Sequence, residues 1–300
     1  MNPLFTVFTP TYNRAYILPT LYHSLCSQTE KNFEWLIVDD GSSDETELLV
    51  KRWLGTENGF EIRYFKKENG GKPRAINFGV QKAIGEFFFM VDSDDHLLPD
   101  AIEKMTRWVA QIQNHKDFIG VGAARGYPDL SYIKGSPPKV NESGYVDATN
   151  LERTEFDLDA DMCEAYRTEI FRKFPMAEWP GEKFAPEQIA LNEIALAGYK
   201  IRWHKDIIYI CDYLDDGLTK GSNRLLKDNP MGYAMMYDHM LKYGYPPVKK
   251  LHCACQVVAY SFYGKHPEYL LKSNSRLYIL LALPFGIILS FRRALQFKDL

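Results

Sequence analysis

The 300-residue chain reads as an α/β protein, a Rossmann-like doubly wound and mostly parallel sheet followed by a helical C-terminal region. Three observations predict this. Short β-rich runs alternate with helically spaced runs four times in the first 110 or so residues, with short connections. The fourth β-run, Phe87-Phe88-Phe89-Met90-Val91, is apolar on both faces, as a central strand covered on both sides must be. It ends abruptly in Asp92-Ser93-Asp94-Asp95, three carboxylates placed where open α/β sheets put their ligands.

Taken in order, Leu4-Phe5-Thr6-Val7-Phe8-Thr9 is the first strand, and Pro10-Thr11-Tyr12-Asn13-Arg14 turns the chain. Ile17, Leu21, Ser24 and Leu25 fall on neighbouring turns of a helix over residues 15–28. Residues 33–38 form the second strand, which runs into Asp39-Asp40-Gly41-Ser42-Ser43-Asp44. Ser43 or Asp44 caps a helix over 45–54. A third strand covers 61–65, and Asn69-Gly70-Gly71-Lys72-Pro73 is a loop before a helix over 74–84. Gly85 breaks that helix from the fourth strand, and Pro99 opens the next helix at its first position. Right-handed crossovers bring every strand's carboxyl end to one edge, so the loops over 10–14, 39–44, 68–74 and 92–95 share a rim.

Composition narrows the chemistry. The 46% hydrophobic and 25% charged fractions are those of an ordinary globular protein. A net charge of −3 without a basic block argues against a nucleic-acid partner. Five scattered cysteines (Cys26, Cys163, Cys211, Cys253, Cys255) suit a reducing compartment, and Cys253-Ala-Cys255 lacks the second pair a zinc site needs. The opening Met1-Asn2-Pro3-Leu4 runs straight into a strand, so no signal peptide is expected. The first loop has no glycine, which excludes a G-x-G-x-x-G dinucleotide turn, and the chain has no P-loop. Phosphates must then be neutralised by a cation on the D-x-D and by Lys72 and Arg74. Oxygen-only ligands favour Mg²⁺ or Mn²⁺.

Four segments stand in a telling order: Phe8-Thr9-Pro10-Thr11-Tyr12-Asn13-Arg14, Val38-Asp39-Asp40-Gly41-Ser42-Ser43-Asp44, Asn69-Gly70-Gly71-Lys72 with Ala75-Ile76-Asn77-Phe78-Gly79, and Asp92-Ser93-Asp94-Asp95. Together they resemble the motifs of family-2 glycosyltransferases of the GT-A fold. The resemblance covers about the first 110 residues. It implies inverting transfer of a sugar from a nucleotide donor, usually a UDP-sugar, with a divalent metal, Mn²⁺ or Mg²⁺. Carried onto this chain, it implies that Pro10 and Tyr12 pack on the base and Asp40 accepts the base's imide N–H. Lys72 sits by the base or phosphates, Asp92 binds ribose or a metal-bound water, and Asp94 ligates the metal. Arg14, Arg74 and Ser93 join the nucleotide-binding set, and Asp95 is either a metal-shell or a structural group.

The second half carries weaker signals. Gly126, Pro128, Gly135, Pro137, Pro138 and Gly144 mark residues 124–161 as loops, a lid or acceptor-facing insertion. Residues 162–167 read as a strand and 168–173 as a short helix. The family presents its catalytic base as a carboxylate opening a helix, usually in a Glu-Asp pair. Here Pro186-Glu187-Gln188 departs from the pair, and Glu187 is the matching carboxylate, with Glu182 as runner-up. Strand-like runs cover 199–204 and 207–213. A polar loop over 215–222, resembling a segment of capsule- and cell-wall-type members, either closes on a diphosphate with Thr219, Lys220, Ser222 and the following Asn223 and Arg224 as donors or is a plain linker. Residues 224–243 and 248–263 read as helices. The apolar run over 277–289 reaches only ~20 Å as a helix, short of a ~30 Å bilayer core, and Pro284 interrupts it. With Arg292, Arg293 and Lys298 behind it, the run lies either in a membrane interface or on the protein.

These readings predict a catalytic domain over 1–222, with a nucleotide-binding half at 1–123 and an acceptor half at 124–222, and a helical region over 223–300. The expected function is a metal-dependent inverting glycosyltransferase at the cytoplasmic face of a membrane. Its donor is a UDP-sugar, its acceptor a glycan or lipid-linked glycan, and Glu187 its general base. The alternatives are a nucleotidyltransferase, which would usually carry a Gly-rich basic first loop, and an inactive sugar-nucleotide binder.

Overall fold

The computed structural model describes residues 2–211, 222–273 and 275–298, the side chain of Ser222 excepted. The chain forms two compact units, each assembled from separate stretches. One comprises Met1–Asn69, Ala75–Pro175 and Leu191–Asp212, the other Gly70–Arg74, Met176–Ala190 and Tyr213–Leu300.

The first unit is built on a nine-stranded sheet. Its strands are β1 (Phe5–Thr11), β2 (Phe33–Asp39), β3 (Glu61–Lys66), β4 (Phe87–Met90), β5 (His96–Leu97), β6 (Phe118–Gly126), β7 (Tyr145–Ala148), β8 (Met162–Arg167) and β9 (Lys200–Ile210). The order is β3-β2-β1-β4-β8-β6-β9-β5, with β7 paired on β9. The first four strands are parallel, β8 runs antiparallel between β4 and β6, and β6 and β9 are parallel again. Helices α1 (Leu18–Cys26), α2 (Thr46–Leu54), α4 (Ala101–Ile112) and α5 (Thr168–Phe171) connect the strands. Helices α3 (Lys72–Lys82) and α6 (Gln188–Leu196) begin in stretches of the second unit and continue in the first. The expected mostly parallel α/β sheet is therefore present.

Local sequence explains the sheet's centre. β2 is buried along its whole length, and the β4 residues Phe87, Phe88 and Phe89 are buried on both faces. Phe8 stacks on Phe88 at 4.8 Å, while Tyr22, Trp35 and Trp53 stack under β2. Two expectations change. Residues 124–161 are not all loop: β7 adds an antiparallel strand to β9, and Asn150–Phe156 is a 3₁₀ helix opened by a Thr149/Glu152 capping box. The two strands read over 199–204 and 207–213 are one, β9, and the apparent break is a bulge at Lys205 and Asp206 opposite β6.

The second unit is helical: α7 (Ser222–Asp228), α8 (Pro230–Met240), α9 (Pro247–Tyr263), a 3₁₀ turn (Pro267–Lys272) and α10 (Arg276–Gln296). The helix read over 224–243 is two, because Pro230 cannot continue α7 but suits the first turn of α8. Cys253, Ala254, Val257 and Val258 of α9 pack with Ile279 and Ala282 of α10. The C-terminal run is also longer than expected. α10 has 21 residues, about 31 Å, and continues through Pro284. Pro284 is on the exposed side, where the carbonyl it leaves unpaired can meet water. By length and composition alone α10 is sufficient to cross a bilayer, so the expectation that it is too short does not hold. The polar loop over 215–221 and the side chain of Ser222, read as diphosphate donors, lie outside the described residues, while Asn223 and Arg224 belong to α7.

Candidate active site

Strand register sets the rim of the first unit. Thr11 of β1 pairs with Asp39 of β2, and Phe8 pairs with Met90 of β4, so the segments that follow leave the sheet side by side. The first two loops are laced together by side chains. Asn13 adopts a left-handed φ of 53°, and its Oδ1 accepts from the Ser43 N–H at 2.8 Å. The Asn13 N–H in turn donates to Ser42 Oγ at 2.8 Å, and Asp44 accepts from the N–H groups of Ala15 and Thr46. Tyr12, next to Asn13 in this loop, is 49% exposed.

At the end of β2, the two neighbouring carboxylates have different surroundings. Asp39 is buried and accepts from Tyr64 Oη at 2.5 Å and from the Ser42 N–H at 2.7 Å, which fixes the turn. Asp40 forms an ion pair with Lys67 Nζ at 2.6 Å and donates its N–H to the Thr11 carbonyl at 2.8 Å. Lys67 stands just beyond the end of β3, a place the strand alternation reaches but sequence reading passed over.

The acidic segment after β4 is held by residues distant in sequence. Tyr209 Oη accepts from the Asp92 N–H at 2.9 Å and donates to Asp95 Oδ2 at 2.7 Å. Arg125 lies 3.5 Å from Asp92 Oδ2 and 3.7 Å from Asp95 Oδ2, with its guanidinium 4.2 Å above the Tyr209 ring. Burial, reinforced by the Asp92 charge against the pull of Arg125, pushes the Asp95 carboxyl up to about 7. Burial opposes the Arg125 charge, but Tyr209, Asp92 and Asp95 hold the guanidinium protonated. Asp94 lies 3.9 Å from Arg14, whose other nitrogen donates to Tyr16 Oη. Ser93 is buried between its partly exposed neighbours. The first unit thus gathers Pro10, Tyr12, Arg14, Asp40, Asp92, Ser93 and Asp94 on adjoining loops. Arg125, Tyr209 and Lys67 complete the charge balance, and no local motif announces them.

The remaining candidates belong to the second unit. Gly71, at φ +92°, lies so close to the 176–190 segment that an added Cβ would fall 1.8 Å from the Lys183 carbonyl oxygen. Only glycine permits that approach, which gives the Gly-Gly-Lys sequence a physical cause. Next to it, Lys72 Nζ pairs with Glu187 Oε1 at 3.1 Å, both side chains being about a quarter exposed. Arg74, expected beside the phosphates, has its guanidinium committed within this unit. It donates to the carbonyls of Gly70, Trp179 and Glu182 and pairs with Glu178 at 3.2 Å. Glu182 accepts from the N–H groups of Met231 and Gly232, each at 2.8 Å, and so caps the N-terminus of α8. Burial raises its carboxyl above the usual range against those two bonds. Glu187 immediately precedes the first residue of α6.

Asp92 and Asp94 fit a hard divalent cation in one particular way. Among the described residues no group of three or more His, Cys, Asp or Glu is placed to hold an ion unaided. Two partly exposed carboxylates suit an ion whose remaining ligands are phosphate oxygens and water, the usual arrangement for Mg²⁺.

An α/β sheet with acidic loops on its carboxyl edge places the candidate site where sheets of this class bind their ligands. The chain belongs to glycosyl transferase family 2, whose model matches residues 6–174. It is 36% identical over 118 residues to an uncharacterized glycosyltransferase of Rickettsia typhi, covering 39% of this chain and 35% of that protein. It is 37% identical over 177 residues to the chondroitin synthase of Pasteurella multocida, covering 59% and 16%. The chain spans about a third or less of the length of the curated relatives it matches first. Among solved structures, S. aureus TarS 1-349 in complex with UDP-GlcNAc matches at a TM-score of 0.61 with 20% identity, covering 94% of this chain and 80% of that one. The mannosyltransferase PcManGT from Pyrobaculum calidifontis, in complex with GDP-Man and Mn²⁺, matches at 0.58 with 18% identity, covering 98% and 88%. At these identities the structures establish a shared fold.

Proposed function

We propose that the protein transfers a sugar from a nucleoside-diphosphate donor, a UDP-sugar, to a hydroxyl of a glycan or lipid-linked glycan by a single inverting displacement. The observation that carries this reading is the acidic segment after β4, with Asp92 and Asp94 partly exposed and Asp92 fixed by Tyr209 and Arg125. The nucleotide-sugar complexes of two proteins of like fold support it. Asp40 accepts the uracil imide N–H, and Tyr12 and Pro10 pack on the base. Lys72 and Arg14 offset phosphate charge. Asp92 and Asp94 would hold Mg²⁺ or Mn²⁺, which when bound supplies positive charge to the departing diphosphate. Glu187 accepts the proton of the acceptor hydroxyl as that oxygen attacks the anomeric carbon. Glu182 is less suited to this role, because both its oxygens are engaged by α8.

Thermal stabilisation by a panel of nucleotides, with and without Mn²⁺, tests the donor site. UDP with Mn²⁺ should raise the melting temperature most, and Asp94→Ala should remove the metal-dependent part while the protein still folds. Asp40→Ala should weaken UDP roughly ten- to hundredfold by leaving a donor unpaired. Equal stabilisation by all nucleotides, or native UDP affinity in Asp40→Ala, would overturn the assignment.

A further inference from the structure

The C-terminal region has a charge of its own. The chain carries −3 in total, yet residues 223–300 hold eleven Lys and Arg against four acids, Asp228, Asp238, Glu268 and Asp299. The rest of the chain is correspondingly acidic, an asymmetry that points to an anionic partner for this end.

The same region carries an apolar face without a partner among the described residues. Leu277, Leu281, Phe285, Ile288, Phe291 and Leu295 of α10 each expose more than half of their surface. At 100° per residue they fall within an arc of about 120°. The opposite face, through Ile279, Ala282, Gly286 and Ser290, is buried. Gly286 brings α10 so close to α9 that an added Cβ would lie 2.4 Å from Val258 Cβ. Arg293 is tied to α9 as well, donating to Gln256 and lying 3.5 Å over the Tyr260 ring. Exposed cations stand at both ends of the stripe, Lys272 and Arg276 before it and Arg292 and Lys298 after it.

We propose that α10 seats in the headgroup–acyl boundary of an anionic lipid bilayer, lying along the surface with its apolar stripe inward and its terminal cations among the headgroups. Three features select this occupant. A nucleic acid would answer the charge but leave six large apolar side chains in water. A second copy of the chain would bring like-charged faces together. A spanning α10 would have to abandon α9 or carry Lys249, Lys250 and His252 of α9 into hydrocarbon. A helix lying flat keeps the α9 packing, buries the stripe and pairs the cations with lipid phosphates. The surface is independent of the transfer reaction proposed above, since none of its residues serves in the donor or base assignments.

Flotation of the full chain with vesicles tests this. The native protein should float with phosphatidylcholine vesicles containing about one-third phosphatidylglycerol, and far less with phosphatidylcholine alone. The pair Phe285→Ser and Ile288→Ser should lower the partition coefficient by roughly a hundredfold with an unchanged melting temperature, as both side chains are already exposed. The pair Arg292→Gln and Lys298→Gln should lower binding roughly tenfold on the anionic vesicles and leave the neutral ones unaffected. Vesicle binding that survives the Phe285/Ile288 change would overturn the proposal. So would a native dimer in sedimentation velocity that the same pair dissolves, for the stripe then covers a second copy. Bound protein that resists extraction with alkaline carbonate would show a spanning helix and overturn it equally.

Discussion

Glu182 and Glu187 lie five residues apart on one segment, and their surroundings separate them. Glu182 accepts two backbone N–H groups at the start of α8, whereas Glu187 pairs with the ammonium of Lys72. Glu187→Gln keeps size and hydrogen bonding but removes proton acceptance, so turnover should fall roughly 10²–10⁴-fold with UDP affinity little changed. Glu182→Gln leaves only one acceptor oxygen for two N–H groups and should lower stability by about 1–3 kcal/mol instead. Steady-state kinetics and urea denaturation of the two variants read these apart. Loss of turnover in Glu182→Gln at native stability, with Glu187→Gln active, would reverse the assignment. Similarly, Asp39 and Asp40 are adjacent but distinct, one locked to Tyr64 and Ser42 and the other facing Lys67.

Among elements, the strap formed by residues 70–74 and 176–190 depends on one backbone position. Gly71→Ala combines a left-handed φ with a collision against the Lys183 carbonyl, so the strap cannot form as observed. Its cost should exceed the ~1–2 kcal/mol of the left-handed conformation alone. Gly181→Ala supplies the comparison, because Gly181 has φ +84° but open space around its Cβ position, and should show only the conformational part. Denaturant midpoints of the two variants give the difference. If Gly71→Ala is no worse than Gly181→Ala, the close approach is not what Gly71 provides. In the sheet, the antiparallel β8 between β4 and β6 carries Cys163 and Ala165 into the core, and β9 brings Tyr209 beneath the acidic segment after β4.

For the whole molecule, acid stability should carry an identifiable contribution from His204. Burial, then the Arg202 charge, pushes its imidazole down to about 3, and its Nε2 has no hydrogen-bond partner among the described residues, while the ring stacks on Trp108 at 4.1 Å. The unfolded chain therefore takes up a proton near pH 6.5 that the folded chain refuses. The stability His204 permits is complete above that pH and is lost as pH falls toward 3, at up to about 1.4 kcal/mol per pH unit. Asp95, raised to about 7, acts in the opposite sense, since the folded state keeps a proton between about pH 4 and 7 that the unfolded state releases. His204→Phe keeps a ring beside Trp108 and removes the titration. Urea unfolding of both proteins between pH 7 and 5 should show a shallower acid decline in the variant, and parallel curves would discount His204.

The parallel sheet, its rim of four loops and the crowding of carboxylates after β4 are legible in the sequence because each follows from local rules. Apolar runs of a set period make strands, breakers end them, and right-handed crossovers align their ends. The family is legible for the same reason, as its motifs are the rim loops themselves. What pairs with what was decided by tertiary structure. Arg125 and Tyr209 reach Asp92 and Asp95 across as many as 117 residues because β6 lies beside the antiparallel β8 and β9 beside β6, an order no local period encodes. The different partners of Glu182 and Glu187 likewise wait on the start of α8, some 50 residues further along. Which face of α10 is left uncovered depends on how Gly286 and its neighbours on that face meet α9. Local chemistry chooses a residue's conformation, but only the packed fold chooses its neighbours, and charges take their roles from neighbours.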